Sequence, residues 1–332
     1  MRKLFSNSLV AILTPVFLAF LFFLPNLMAG KIPIPADSLL GLYHPFRDES
    51  YNGFNPGKFP VKNPLATDPV LQTYPWRFQA IENLKNLSLP FWNPHNFSGQ
   101  PLLANSQSAP FSIFNIFFFI FPFNIAWGAN IILPVLLTSF FMYLFLKSLN
   151  LSKAASIFGA IVLPYSGFFV SWMMWGTIVA TAMWLPLILF CINKLYEKIS
   201  PIIFLLIIFS LSQSILSGHL QTAFYVYFAT LMYVIFKLLI SKLFKPFLVV
   251  VCCLLISISI CAFQIIPTLE FINLSTRNLD QSYQEQRKDW FLPIQNLVQI
   301  IAPDYYGNPT TYNYWGIWNY GEFVSYIGIL PL

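Results

Sequence analysis

Residues 125–146 read IAWGANIILPVLLTSFFMYLFL and contain no Asp, Glu, Lys or Arg. A helix of about 20 such residues crosses the roughly 30 Å hydrocarbon core of a bilayer, where a charge costs at least about 2.5 kcal/mol. The sequence therefore predicts an all-α polytopic membrane protein with about seven transmembrane helices. Six further stretches are apolar, lack all four charged residue types and have similar lengths: residues 9–28, 154–173, 177–192, 201–217, 220–236 and 247–266.

The composition of the whole chain agrees with this prediction. Of 332 residues, 57% are hydrophobic and only 9% are charged, and the mean hydropathy is +0.65. A soluble domain carries about 25% charged residues. Residues 9–28 resemble a signal peptide, but their apolar region exceeds the usual length of about 7–15 residues and a poor cleavage site follows it. We therefore predict an uncleaved N-terminal transmembrane helix within residues 1–29.

The basic residues are unevenly distributed between the predicted loops. If the N-terminus is cytoplasmic, the cytoplasmic pieces hold nine basic residues and one acid, Glu197, against nine basic and eleven acidic residues outside. Positive charge accumulates in cytoplasmic loops, which predicts this orientation in an inner or plasma membrane. The net charge of +6 then reflects topology, and no nucleic-acid partner is expected. The nine basic residues are Arg2, Lys3, Lys147, Lys153, Lys194, Lys198, Lys237, Lys242 and Lys245.

This topology leaves two large extracytoplasmic loops, residues 30–110 and 267–320, with a transmembrane helix bundle at residues 124–266. Residues 111–123 are apolar but too short for a span, which predicts a re-entrant or interfacial helix. Residues 321–332 start another apolar run, which predicts a further transmembrane helix in a longer chain. Within the first loop, hydrophobic residues at three-residue spacing predict a short amphipathic helix over residues 76–87.

The four cysteines all lie in predicted spans and are interpreted as small buried apolar residues. They offer neither a disulfide framework nor a metal site. The sequence also lacks a Gly-rich phosphate loop, a His-x-x-x-His pair and a Gly-x-Ser-x-Gly elbow. The cysteines are Cys191, Cys252, Cys253 and Cys261.

Acids in the first loop are candidates for chemistry. Asp37 closely follows the first span, where its carboxylate lies near lipid headgroups. Its structural alternative is N-capping of a helix that begins at Ser38. Asp68 precedes Pro69 and could equally cap a turn.

Basic and neutral polar groups of the loops complement these acids. Arg77, Arg277 and His219 are predicted on the same side, where they can donate charge-assisted hydrogen bonds to a phosphate. The alternative for the arginines is a solvated charge or snorkelling to lipid phosphates. His219 lies in a tight turn between two spans, so its position is fixed.

The loops carry a set of short motifs in a fixed order. The order and spacing of these motifs resemble the bacterial YfhO-like membrane proteins along most of the chain. That resemblance implies a GT-C-like bundle and a glycosyltransferase of the GT-C class. Such an enzyme takes a sugar from a polyprenyl-phosphate carrier and transfers it, outside the bacterial cell membrane, to a cell-envelope glycan or teichoic-acid-like acceptor. The motifs are DPVLQTYPWR (68–77), LPFWNP (89–94), GQPLLANSQ (99–107), AMWLP (182–186), GHLQT (218–222) and YIGILP (326–331).

The resemblance also implies roles for individual residues. In GT-C enzymes an acid just after the first helix activates the acceptor or helps to hold a divalent metal such as Mg²⁺ or Mn²⁺, and Asp37 has that position. Many members have two adjacent acids there, whereas Ser38 follows Asp37. Either Asp68 completes the pair in space, or catalysis is metal-independent. The residues expected to bind the substrate and its phosphate are Arg77, Gln107, His219 and Arg277.

A transporter or flippase for lipid-linked glycans is the alternative class. Transport sites near the bilayer midplane commonly use intramembrane charges or broken helices. The predicted spans lack charges, although Pro134, Pro164 and Pro186 could break helices. Transport therefore ranks second, and a non-catalytic envelope scaffold ranks third.

Overall fold

The computed structural model describes residues 2–64, 66–275, 292–317 and 319–331, and 66% of it is helical. A short antiparallel sheet pairs β1 (Trp92–Asn93) with β2 (Gln100–Pro101). The helices are α1 (Arg2–Met28), α2 (Asp37–Leu42), α3 (Tyr74–Lys85), α4 (Ile116–Ile120), α5 (Phe123–Ser148), α6 (Lys153–Val162), α7 (Gly167–Trp172), α8 (Ile178–Ala182), α9 (Trp184–Glu197), α10 (Pro201–Leu216), α11 (Leu220–Ser241), α12 (Phe244–Ile260), α13 (Ala262–Asn273) and α14 (Tyr320–Phe323).

Several tight helical turns join these helices. A π-helical turn, Pro69–Thr73, leads into α3. The other turns are of the 3₁₀ type and lie at Phe46–Asp48, Ile113–Asn115, Leu163–Tyr165, Met173–Trp175, Ile294–Ile300 and Pro309–Thr311.

Three helical stretches of the described residues are long and apolar enough to cross a membrane: α5, α11 and the run formed by α8 and α9. Two bent helix pairs add one span each if each pair crosses the membrane as a unit. The α6–α7 pair is bent by 40° and the α12–α13 pair by 66°. The described chain thus holds three to five candidate spans by length and composition, which supports a membrane protein. Leu13–Met28 and Pro201–Leu216 are shorter apolar helices, so the count of seven spans stays a prediction.

Helix α9 lies at the centre of the bundle. It packs against α5 and α10, while α10 also packs against α12 and α1 packs against α5. Ile188, Cys191, Ile192 and Leu195 of α9 are fully buried. Their spacing of three and four residues places them on one face of the helix, so a single apolar stripe holds α9 in the core.

The outer surface of the bundle is apolar as well. Phe224 and Leu239 of α11 are 64% and 71% exposed, and Leu255 of α12 is 61% exposed. Soluble proteins rarely expose large contiguous apolar patches, whereas lipid chains cover such side chains without cost. The exposed aromatic and aliphatic residues therefore agree with a bundle surrounded by lipid.

Two predictions for the first loop are refined. The helix predicted at residues 76–87 is α3, Tyr74–Lys85, and it ends before Leu87, whose φ of 55° is left-handed. Residues 111–123 contain the 3₁₀ turn Ile113–Asn115 and the short helix α4, and Phe123 already belongs to α5. A re-entrant or interfacial position for α4 stays a prediction.

The later part of the chain also differs in detail. Helix α13 extends to Asn273, so the first residues of the predicted loop 267–320 are helical. At the end of the described chain only Tyr320–Phe323 is helical, and a further span from residue 321 stays a prediction. Cys252 is exposed on α12, because consecutive helix residues point about 100° apart and Cys253 takes the buried direction. The prediction that all four cysteines are buried is wrong for Cys252.

Candidate functional site

Both large loops fold against one end of the bundle, which we call the loop face. Residues 102–115 of the first loop, which we call the wedge, pack against the turn between α10 and α11. A Cβ atom added to Gly218 in that turn would lie 2.9 Å from the Ser106 carbonyl oxygen and 3.2 Å from Cγ2 of Thr177. Gly218 has a φ of +98°, so this close approach and this backbone both require glycine.

Two buried glutamines also hold the wedge. The Gln264 side chain of α13 donates to the Leu103 carbonyl oxygen at 2.6 Å. The Gln213 side chain of α10 accepts a hydrogen bond from the Ile113 amide at 2.8 Å. Burying these amides is tolerated because they pair with backbone groups of the loop, so the wedge is fixed to helices from both sides. The sequence analysis missed both residues.

Arg77 anchors the wedge from α3. Its side chain is only 1% exposed, and Nη1 donates to Oδ1 of Asn115 at 2.7 Å. Asn115 in turn donates to the carbonyl oxygens of Ala109 and Pro110, both at 2.8 Å. Burial lowers the pKa of Arg77 to about 9, so the guanidinium still carries its charge at pH 7. These contacts are structural, and the predicted role of Arg77 in substrate binding stays a prediction.

His219 is the N-cap of α11. Its Nδ1 accepts a hydrogen bond from the Thr222 amide at 3.2 Å and lies 2.7 Å from the Thr222 hydroxyl. Burial lowers the pKa of His219 to about 4. The imidazole is therefore neutral at pH 7 and carries its proton on Nε2. It can donate one hydrogen bond to a phosphate oxygen but does not supply the positive charge expected of it.

Gln107 is half-buried in the wedge, one residue after Ser106. The wedge thus brings three predicted substrate-binding residues to the loop face. Arg77 is attached through Asn115, Gln107 is part of the wedge, and His219 follows the glycine that contacts it. The fourth, Arg277, lies outside the described residues.

Asp37 does not cap its helix. It is the first residue of α2, whose N-cap is Ala36 and makes no side-chain capping bond. The Asp37 carboxylate instead accepts a hydrogen bond from the Lys62 backbone amide at 2.8 Å. One carboxylate oxygen is thereby held by a distant part of the loop, so the capping alternative is wrong for Asp37.

Asp68 precedes the π-helical turn Pro69–Thr73 and makes no capping bond. Its Oδ1 accepts a long hydrogen bond, 3.4 Å, from the Gln72 side chain. Asp37 and Asp68 therefore have different partners. The described residues contain no group of three or more His, Cys, Asp or Glu side chains that could hold a metal. A metal held by Asp37 and Asp68 stays a prediction.

An apolar cavity of about 490 Å³ lies between the wedge and α13. We call it the wedge cavity. Leu103 and Phe111 of the wedge line one side, and Phe263 and Phe271 of α13 line the other. Among the residues that the structure describes, Glu270 is the single charged residue in the lining of this cavity. The cavity is suited to an apolar chain that ends in a polar group.

A second cavity of about 320 Å³ lies at the break between α6 and α7. We call it the break cavity. Its walls are aromatic and neutral polar, and it is completed by the second loop, where Asp304 accepts a 2.6 Å hydrogen bond from the Tyr320 hydroxyl. Burial and the hydrogen bond to Asp304 raise the pKa of Tyr320 above its ordinary value, so the phenol remains a donor. The sequence analysis missed Asp304, although the run DYYGNP at residues 304–309 places an acid, aromatic residues and a turn together.

Comparisons with known proteins identify no relative. No protein-family model matches this chain, and no curated protein or solved structure matches it either. The resemblance to the YfhO-like family therefore stays a prediction.

Proposed function

We propose that this protein is a bacterial membrane glycosyltransferase of GT-C type. It transfers a sugar from a polyprenyl-phosphate carrier to a cell-envelope glycan or teichoic-acid-like acceptor on the extracytoplasmic face. The observation that carries the proposal is the wedge cavity at the loop face of a helix bundle with an apolar surface. A prenyl chain needs an apolar chamber when its phosphate end reaches protein groups outside the bilayer. The motif order described above supplies the reaction class.

The proposed reaction is a direct displacement at the anomeric carbon of the donor sugar. The acceptor oxygen forms the new bond to this carbon while the bond from the carbon to the phosphate oxygen breaks. The acceptor proton passes to Asp37, and polyprenyl phosphate leaves with the bonding electron pair. The Lys62 amide holds one oxygen of the Asp37 carboxylate, which orients the other oxygen as a general base.

Charge that develops on the departing phosphate needs hydrogen-bond donors. Neutral His219 supplies one from Nε2, because its Nδ1 already accepts a bond from the Thr222 amide. Gln107, half-buried in the same region, offers a side-chain amide. These roles require no movement of Arg77, which keeps the wedge in place.

A transporter or flippase for lipid-linked glycans is the second candidate. The observation that favours it is the pair of bent spans, α6–α7 and α12–α13. Broken helices form the substrate sites of many secondary transporters, near the bilayer midplane. A transporter would move the lipid-linked sugar across the bilayer without breaking its bond to the phosphate.

Purified protein in liposomes separates the two candidates. The substrate is a radiolabelled polyprenyl-phosphate sugar, and the measurements are label transferred to an acceptor extract and label moved to the opposite leaflet. The glycosyltransferase proposal expects transfer with release of polyprenyl phosphate. Movement of the intact lipid-linked sugar without transfer would replace it by the transport alternative.

The proposed orientation has its own test. In intact cells that express a cysteine-free parent, a membrane-impermeant thiol reagent should label Lys58→Cys in the first loop and spare Lys153→Cys at the start of α6. The expectation follows from the lysine-rich short loops, which favour the cytoplasm. Labelling of Lys153→Cys with protection of Lys58→Cys would reverse the orientation.

A further inference from the structure

The break cavity is assembled from three distant parts of the chain. Helix α6 ends in the 3₁₀ turn Leu163–Tyr165, and α7 begins after Ser166, whose backbone is extended. The segment that follows the second loop crosses this break, since the Gly167 amide donates to the Tyr326 carbonyl oxygen at 2.6 Å. A Cβ atom on Gly167 would lie 2.6 Å from the Val324 carbonyl oxygen. Glycine at residue 167 therefore allows residues 324–326 to pass close to the break.

Aromatic side chains form much of the wall. Trp172 and Trp175 line the cavity with ring centroids 4.7 Å apart, and Tyr165 and Tyr320 contribute further rings. Flat aromatic faces pack against flat apolar faces of a ligand. The ring planes of the two tryptophans differ by 59°, so they form a corner and not a slot for a planar base.

The polar groups of the wall are neutral. Asn63, Asn308, Thr310 and Asn319 line the cavity. Within the described part of the chain, its lining contains no Lys, Arg, His, Asp or Glu. A phosphate or carboxylate would find no opposite charge here, whereas hydroxyl groups pair well with amides and hydroxyls.

These polar groups are held in place by a network. Oδ1 of Asp304 accepts from the Tyr320 hydroxyl at 2.6 Å and from the Asn308 side chain at 3.1 Å. Asn319 caps α14 by accepting the Gly321 amide at 3.1 Å. The Tyr165 hydroxyl is buried and has no hydrogen-bond partner in the described structure. Tyr165 therefore contributes its ring to the wall, and the polar contacts with a ligand come from the amides and hydroxyls named above.

From this combination we infer that the break cavity binds one unit of a neutral carbohydrate. A sugar ring presents an apolar C–H face to an aromatic ring and hydroxyls around its edge to amides and hydroxyls. A sugar ring is also of suitable size, because the volume of the cavity falls within the range of about 300–1,000 Å³ typical of small-molecule sites. The ligand class rests on the cavity itself. Its part in transfer, as donor sugar or acceptor sugar, rests on the proposed function.

The test is equilibrium binding of free sugars to purified full-length protein in detergent. The probes are the methyl glycosides of glucose, galactose and N-acetylglucosamine, and binding is followed by tryptophan fluorescence and by saturation-transfer NMR. For ligands this small we expect dissociation constants on the order of 1 mM. Tyr320→Phe removes one hydroxyl of the wall and should weaken binding about fivefold to tenfold.

Two further variants keep the test independent of folding. Tyr305→Phe makes the same chemical change on an exposed ring in the same loop and should bind like the parent. Thr310→Val replaces a lining hydroxyl by a methyl group of similar size and should weaken binding severalfold. Both variants should unfold at the parent temperature, which separates loss of binding from loss of structure.

Saturable binding of one glycoside that Tyr320→Phe and Thr310→Val weaken, and Tyr305→Phe does not, supports the site. Absence of saturable binding for all three glycosides overturns it, as does equal binding by Tyr320→Phe and the parent. The experiment uses no lipid carrier and measures no turnover. Sugar binding without transfer in the liposome assay would therefore keep the site and remove the glycosyltransferase proposal.

Discussion

The wedge cavity and the break cavity lie at the same loop face but have opposite linings. The wedge cavity is apolar on both sides and has a single carboxylate, that of Glu270, in its described lining. The break cavity combines tryptophans and tyrosines with neutral amides and hydroxyls. A lipid-linked sugar has the same two halves, an apolar chain and a polar ring, and each cavity has the lining that suits one of them.

The two cavities form at the same kind of place in the structure. Each forms where a loop meets a bent helix pair: the first loop meets α12–α13, bent by 66°, and the second loop meets α6–α7, bent by 40°. A straight helix would continue its side-chain packing through these places. The bends interrupt that packing, and the loops supply part of the lining that determines which ligand fits. The difference between the cavities originates in the helices as well as the loops, because α13 supplies Phe263 and Glu270 whereas α7 and the turn after it supply Trp172 and Trp175.

The largest expected effect concerns Asp37, which is held close to the break cavity. Its carboxylate binds the Lys62 amide, and the next residue, Asn63, lines that cavity. Asp37→Asn keeps the shape and can still accept the Lys62 hydrogen bond, but it cannot take a proton. We expect transfer of sugar from a polyprenyl-phosphate donor to fall by about 10²–10⁴-fold, with membrane insertion unchanged.

Asp48→Asn is the matched control. Asp48 is exposed in the same loop and pairs with His44 at 2.7 Å, and its loss should leave turnover within a few-fold of the parent. Asp68→Asn and Arg47→Ala extend the series, with a smaller loss expected for the first and little change for the second. If Asp37→Asn also turns over at nearly the parent rate, Asp37 is not the base and Asp68 becomes the next acid to test.

The next largest effect is expected for Gly218→Ala, which should weaken ligand binding in the wedge cavity but not in the break cavity. Gly218→Ala introduces a Cβ atom that would lie 2.7 Å from Cβ of Ala109 and 2.9 Å from the Ser106 carbonyl oxygen. The wedge must shift, so we expect weaker binding of a fluorescent prenyl phosphate and a lower unfolding temperature. Binding of free glycosides in the break cavity should be unchanged, because none of the residues that the added Cβ atom would meet lines that cavity.

Gly53→Ala separates backbone strain from the clash. Gly53 also has a positive φ, +83°, but an added Cβ atom there meets nothing within 4 Å. Its cost should be limited to the left-handed backbone, about 1–2 kcal/mol, and prenyl binding should be kept. Equal loss of prenyl binding in both variants would mean that contact between the wedge and Gly218 does not shape the cavity.

The apolar helices could be predicted from the sequence, whereas the wedge could not. The stripe of Ile188, Ile192 and Leu195 on α9 follows local spacing, and local spacing is readable in a sequence. The wedge depends on contacts between distant residues. Arg77 reaches Asn115, 38 residues away, and Gln264 reaches Leu103, 161 residues away. No local pattern predicts such pairs.

For the candidate site residues too, local features could be predicted from the sequence and long-range contacts could not. His219 was predicted to have a fixed position because it lies in a tight turn, and the structure places it at the N-cap of α11. The lowering of its pKa to about 4 could not be predicted, because burial causes it and burial depends on the tertiary fold. The run DYYGNP marks Asp304, but its partner could not be predicted, because Tyr320 lies 16 residues further along the chain. When distant residues determine the hydrogen-bond partners or pKa of a side chain, these properties can be assigned only from a structure.

The smallest expected effect is a pH dependence at His219, next to the wedge. Burial lowers its pKa from 6.5 to about 4, so between these values the unfolded chain binds a proton at this residue and the native protein does not. The stability that neutral His219 allows is complete above pH 6.5 and is lost as the pH falls toward 4. The loss should reach up to about 3 kcal/mol and lower the unfolding temperature in detergent.

His219→Asn supplies the control, because asparagine caps helices well and does not titrate. Its unfolding temperature should fall less than that of the parent between pH 7 and pH 4. Parallel pH curves for the two proteins would show that His219 is exposed to solvent, and the contact of the wedge with this turn would then be weaker than the structure indicates.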